Sequence, residues 1–339
     1  MCYLWYEDKY EKNNFFAINV RDEDKEALKV DRLTVLWCNR YVYLGSIFTS
    51  DGSVSSAIAA HASAKMCQIL KFVSFIRKNI DIPFYVKRRI FDAALMSSIL
   101  YGCESWINGS LRPVEKLYNW GIKQLLGVRM TTCNDLCYAE LGVPPLKALV
   151  MMKQRKFFKS MWNERQHMID DPLAFAIRTT LNANISTSQY VSQLINQDIN
   201  DVAVAKELLH RSIRLSQSSR RITYKLLNPS LEIPSAYHEK QNVNEVHRIS
   251  YTQFRLSGHK LAVETGRWNR RGRGRLPMEE RLCPCGQIQT ELHVIEDCPL
   301  TSEVRRQYAF NSWQNLQSPE IGDGRTVKIV HMVLSIFGT

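Results

Sequence analysis

Residues 51–78 read DGSVSSAIAAHASAKMCQILKFVSFIRK, and this stretch sets the fold class. Asp51-Gly52 is a turn signal closing a run of β-formers, with Val35, Trp37, Tyr41, Tyr43, Ile47 and Phe48 lying between Arg32 and Thr49. After the turn the apolar period lengthens from strand to helix. Ile58, Ala62, Ile69, Val73 and Ile76 share one helical face from about Val54 to Lys78, and Ser53 is placed to cap the first turn. Asp81-Ile82-Pro83 breaks the pattern. A second helix follows, with Val86, Ile90, Ala93, Ala94 and Ser97 as its inner face and Lys87, Arg88 and Arg89 near its start. A third runs from about Pro113 to Leu126 with Gly127 as its stop. A fourth covers roughly 146–166 and carries a basic surface of Lys153, Arg155, Lys156, Lys159 and Arg165. The chain is expected to be mainly α, with a few strands ahead of a helical bundle.

Composition is that of a globular protein: 339 residues, 45% hydrophobic, 23% charged. The net charge is +12, which favours a polyanionic partner. That charge is unevenly placed. Residues 1–39 carry six Lys/Arg against eight Asp/Glu. Residues 248–281 carry nine Lys/Arg against three Asp/Glu, a local excess of six, about half of the total. Arg271, Arg273 and Arg275 alternate there with glycines beside Trp268, a pairing suited to phosphate forks and base stacking. Lys260, Arg267, Trp268, Arg270, Arg271, Arg273 and Arg275 are therefore the candidate nucleic-acid contacts, with Lys87 and Arg88 from the second helix. No run reaches the ~20 apolar residues of a membrane helix. Met1 to Tyr10 lacks the shape of a signal peptide, so a nuclear or cytoplasmic location with reduced thiols is expected.

The sharpest motif is Cys283-Pro-Cys285, then His293, then Cys298. Three thiolates and one imidazole suit tetrahedral zinc. Gly286 allows a knuckle turn, and His293 and Cys298 are spaced to present from one side of a short helix or its end. The gap of one residue between Cys283 and Cys285 is tighter than the usual two to four. No fifth ligand is evident, which points to structural zinc. Cys38, Cys67, Cys103, Cys133 and Cys137 sit in apolar surroundings and are expected in the core. No catalytic residues stand out. Asp170-Asp171, the adjacent acidic pair that a two-metal site would need, reads as a helix end. A P-loop, a dinucleotide fingerprint and a Gly-x-Ser-x-Gly elbow are all absent from the sequence.

Several segments, in order, carry a resemblance. Tyr43-Leu-Gly-Ser-Ile-Phe-Thr-Ser-Asp-Gly-Ser53 resembles the stretch after the catalytic palm of reverse transcriptases from non-LTR (LINE-type) retrotransposons. Ile99-Leu-Tyr-Gly-Cys-Glu-Ser-Trp106 is similar to their thumb signature, and Leu125-Leu-Gly-Val128 and Leu141-Gly-Val-Pro-Pro145 continue it. The segment Phe254 to Trp268 and the Cys/His cluster after it are similar to the C-terminal region of these elements' proteins. The matches cover roughly 40–165 and 248–310. The resemblance implies a helical thumb that holds a primer–template duplex and a zinc knuckle that helps to bind RNA or DNA. By position, Cys283, Cys285, His293 and Cys298 match the knuckle ligands, and the basic residues before them match its nucleic-acid-binding region. The family's aromatic-Ala-Asp-Asp turn, which should precede Tyr43, has no counterpart here.

Five segments are expected: a palm-edge remnant with strands over 1–52, a thumb-like bundle over 53–167, and a polar connector with helical pieces over 168–247. A basic segment with the zinc knuckle follows over 248–310, and a tail over 311–339. The expected function is nucleic-acid binding by a C-terminal reverse-transcriptase fragment, itself inactive as an RNA-directed DNA polymerase. The alternative is a non-enzymatic, zinc-containing interaction or structural module.

Overall fold

A computed structural model describes residues 4–6, 14–30, 33–183, 185–234, 237, 243–267, 274–314 and 323–338. The protein is mainly helical. Six short strands come first: β1 (Leu4–Tyr6), β2 (Asn14–Phe16), β3 (Leu28–Val30), β4 (Leu33–Trp37), β5 (Arg40–Tyr43) and β6 (Ser46–Thr49). The helices α1 (Val54–Lys78), α2 (Phe84–Ile90), α3 (Ser97–Ile99), α4 (Arg112–Leu126), α5 (Asn134–Leu141) and α6 (Leu146–Arg165) follow. Next are α7 (Pro172–Asn182), α8 (Ser186–Asn196), α9 (Asp201–Leu215), α10 (Ser219–Leu227) and α11 (Glu245–Arg255). The chain continues through α12 (Ala262–Thr265), α13 (Glu291–Glu296), α14 (Ser302–Tyr308) and α15 (Asp323–Ile336). Among the described residues no helix is long and apolar enough to cross a membrane.

The caps explain several boundaries. Ser56 N–H donates to Ser53 Oγ at 3.2 Å, so Ser53 starts α1 as its position suggested. Ile58, Ala62, Ile69 and Val73 are buried along its inner face. Gly127 ends α4 at φ +74°, and a Cβ there would meet Ile249 Cγ1 at 2.9 Å. Asp171 caps α7 by accepting from the N–H groups of Leu173 and Ala174, and Arg165 donates to its other oxygen at 2.6 Å. That accounts for the carboxylate in the acidic pair by capping.

Several expectations need correction. In the second helical segment Ala93, Ala94 and Ser97 are exposed, while Phe84, Lys87, Phe91, Leu95, Met96 and Ile99 are buried. The larger side chains win the interior, and residues 91–96 form a wider π-helical turn that shifts the face. Of the five cysteines expected in the core, Cys103 and Cys137 are buried, Cys38 and Cys133 are half-buried, and Cys67 is exposed on α1.

The chain divides into two compact units, each assembled from separated stretches. The first comprises Met1–Leu70, Leu95–Tyr118 and Leu146–Val202. Within it a four-stranded sheet has the order β1-β2-β4-β3, with β2 and β4 parallel and the outer pairs antiparallel, while β5 and β6 form a separate hairpin. Phe15, Phe16 and Val35 are buried, and Phe16 stacks on Tyr41. Arg155, expected on the basic surface of α6, is instead buried. It donates twice to Asp201, at 2.8 and 3.0 Å, and to the carbonyls of Gln193 and Gln197. One guanidinium thus satisfies the last turn of α8 and the first residue of α9.

The second unit comprises Lys71–Ala94, Asn119–Pro145 and Ala203–Thr339. Its main apolar cluster gathers Phe254, Leu261, Val263, Val294, Ile295, Val304 and Phe310 against Ile329, Val330, Val333 and Leu334 of α15. The segment expected as a tail therefore supplies one wall of this core. The five expected segments follow the chain in sequence, whereas the compact units are assembled from stretches that alternate along it.

Candidate metal centre

A small hairpin presents the first two thiols. Leu282 bridges antiparallel to Ile288, Cys283 N–H donates to Gln287 O at 2.7 Å, and Gln289 N–H donates to Arg281 O at 2.8 Å. Gly286 turns the chain at φ +92°, a conformation other residues reach only under strain. Thr290 then caps α13 by accepting from His293 N–H at 3.0 Å. This places His293 in the first turn of α13 and sends Val294 and Ile295, both 0% exposed, into the core. Cys298 N–H closes back on His293 O at 2.8 Å.

The four donors converge. Cys283 Sγ lies 3.6 Å from Cys298 Sγ, and Cys285 Sγ lies 3.2 Å from His293 Nε2. All four ligand atoms fall within 4.8 Å of one another. Thiolates at ~2.3 Å around a tetrahedral zinc stand about 3.8 Å apart, so the set fits that ion. Cys283, His293 and Cys298 are buried and Cys285 is half-buried. Burial pushes the Cys283 thiol up to about 12, whereas the Gln287 N–H holds the Cys285 thiol below its ordinary value. Burial also lowers His293, which favours the neutral imidazole that binds metal. A buried thiolate needs a cation to offset its desolvation, and a divalent ion held by these four residues would supply one.

The surrounding chain braces this cluster through residues that the sequence motif does not mark. Gln289 Nε2 points at Cys283 Sγ at 3.8 Å, and its Oε1 accepts from Ala262 N–H at 2.6 Å. Glu291 accepts from His259 Nε2 at 3.0 Å and from the Ser257 hydroxyl at 3.3 Å. Leu261 N–H donates to Nδ1 of the same ring, leaving the ring proton on Nε2 to face Glu291. Burial opposes ionisation of Glu291, and the contacts from His259 and Ser257 nonetheless hold it below the usual carboxylate range. Only the spacing of Gln289 and Glu291 inside the Cys/His motif hinted at them; their partners lie some thirty residues upstream.

The basic residues divide. Leu276 N–H donates to Gly266 O at 2.9 Å, which joins the chain on either side of the basic segment. Arg281, 3% exposed, fixes that junction by donating to Leu276 O at 2.7 and 3.1 Å and to Val263 O at 2.9 Å. Arg275 and Lys260 are exposed. Arg267 is half-buried, held by Glu264 at 2.7 Å and by Ser219 at 2.7 Å. Trp268, Arg270, Arg271 and Arg273 lie outside the described residues. Arg88 donates to Asp92 and to Leu141 O and keeps part of its surface exposed. Lys87 does not reach the surface. It is 2% exposed, with Nζ 3.1 Å from Glu245 and from Ile80 O, so it is removed from the candidate contacts. Arg248, Arg255 and Arg281, counted in the basic segment, are interior as well. Each is consumed by carboxylates or carbonyls of the unit's own core.

No protein-family model, no curated protein and no solved structure matches the chain.

Proposed function

We propose that this protein binds nucleic acid through the basic segment 267–275, with zinc holding folded the module that follows it. The observation that carries the reading is the nearness in the chain of that segment to the Cys/His hairpin. Gly266 and Leu276, which flank it, are joined, Arg281 clamps the junction, and Cys283 follows two residues later. Cys283, Cys285, His293 and Cys298 serve as structural ligands, and Lys260, Arg267, Trp268, Arg270, Arg271, Arg273 and Arg275 face the polyanion. By resemblance, the helices over 53–167 act as a reverse-transcriptase-like thumb and the Cys/His hairpin as the LINE-type knuckle. Catalysis is not assigned to this chain, whose 339 residues contain no aromatic-Ala-Asp-Asp turn.

A salt titration of RNA and DNA binding tests the assignment. Binding should weaken linearly in log–log form with added salt. Replacing Arg271, Arg273 and Arg275 together with Ala should reduce the slope by about 2–3. Binding indifferent to salt, or an unchanged slope in the triple variant, overturns the reading in favour of a protein-interaction module. Templated primer extension by this chain alone would overturn the expectation that it is inactive.

A further inference from the structure

A cleft of about 430 Å³ lies within the second unit, away from the Cys/His hairpin. Its walls come from the end of α1, the end of α4 and one side of α11. Ile76, Ile80, Val128 and Ile249 make the apolar part. Arg77, Arg129 and Lys87 supply charge, with Gln124 beside them.

The charge balance of this cleft is unusual. Glu245 is its one carboxylate, and two buried cations share it. Lys87 Nζ is 3.1 Å from Oε1, while Arg248, behind the wall, donates to Oε2 at 2.6 Å and to Oε1 at 3.1 Å. The two cations exceed the one carboxylate by a charge, and the carbonyls of Leu125, Leu126 and Ile80 and the Phe84 ring face that excess. Nearer the surface, Arg77 donates to the neutral Gln124 at 3.0 Å. Among the described residues neither Arg77 nor Arg129 has an acidic partner within salt-bridge distance. The cleft therefore combines a cationic excess with an apolar wall, at a volume suited to a small ligand and too small for a duplex.

We infer that this cleft takes one unstacked nucleotide of a single strand, its base against Ile76, Ile80, Val128 and Ile249 and its phosphate at Arg77 and Arg129. Single-strand binding pairs a cationic track with a surface that takes a base face, commonly aromatic, and here aliphatic side chains form that surface. The inference rests on the nucleic-acid reading above and gives it a second contact region, on other elements than the basic segment. Lys87 in the wall and Arg248 behind it keep the site positive.

The test uses the full chain with a twelve-nucleotide single strand carrying one 2-aminopurine. Insertion of an unstacked base should change the probe's emission on binding. The Arg77→Ala/Arg129→Ala double variant should lose that change and lower the log–log salt slope by about 0.7, the value for one single-strand phosphate contact. Ile80→Glu keeps every cation and alters an exposed position. It should weaken binding severalfold with an unchanged thermal melt. Wild-type salt-dependent binding with the same emission and slope in the double variant overturns the cleft and leaves the basic segment standing. Failure of the wild-type chain to bind any strand overturns both. If the double variant misfolds, Ile80→Glu decides alone, and unchanged affinity in it rejects the site.

Discussion

Cys283 is 2% exposed, yet it has three sulfur or nitrogen neighbours of the metal-binding kind within 4.8 Å and no disulfide. Replacing it with Ser should drop bound zinc from one per chain to well under one by metal analysis, and a chelator should lower the melting temperature of the wild type but not of the variant. A second prediction belongs to Asp51. Hydrogen bonds from Thr49, Ser56 and the Ser53 N–H hold its carboxyl at about 2, below its ordinary 3.8. The ionised form is favoured by folding, so its contribution is full above about pH 4 and is lost as pH falls through 2. Carbon NMR titration should place the midpoint near 2, and Ser56→Ala should move it upward. At this scale the four metal donors were legible because Cys and His are scarce and their spacing is local. Lys87 was not, since its partner Glu245 lies 158 positions along the chain. A lysine looks the same in sequence whether water or a carboxylate surrounds it.

Helix α5 shows what pattern reading misses. From Leu136 to Leu141 every residue is buried, so no polar face exists to reveal a period. At its centre Glu140 is 0% exposed and accepts from Arg255 at 2.8 and 3.0 Å and from the hydroxyls of Tyr224 and Tyr237, each at 2.9 Å. Three other stretches of the unit meet on this one carboxylate. Glu140→Ala should cost about 3–5 kcal/mol in urea denaturation, because Arg255 is left charged and unpaired in the interior. Helix α1, by contrast, was readable to the residue, with a capping Ser53, a long one-sided apolar stripe and a proline after it. The connector over 168–247 reads as polar because α7 to α10 each bury a narrow face, such as Ala174 and Ile177 on α7 or Val191 and Leu194 on α8. Two or three buried positions per helix give little amplitude to a periodic signal.

The molecule as a whole is mainly helical, and that much follows from the stretch after Asp51. Its division into two units of alternating stretches does not, since periodicity reports faces and not which distant faces meet. Helix α15 makes the same point. It lies in a segment that reads as a tail, but Ile329, Val330, Val333 and Leu334 are each at most 1% exposed in the core above the Cys/His hairpin. Ile329→Ala should destabilise the protein by about 2–5 kcal/mol, measured as a shift of the denaturant midpoint at constant slope. The alternation also has a consequence for synthesis. A ribosome delivers the first unit's last stretch when residue 202 emerges, so that unit can settle early. The second holds two earlier stretches, 71–94 and 119–145, that must wait for α11, whose Glu245 pairs with Lys87 and whose Arg255 pairs with Glu140. At about 5–20 residues per second the delay is about 5–30 seconds, during which those apolar faces stand open to chaperones.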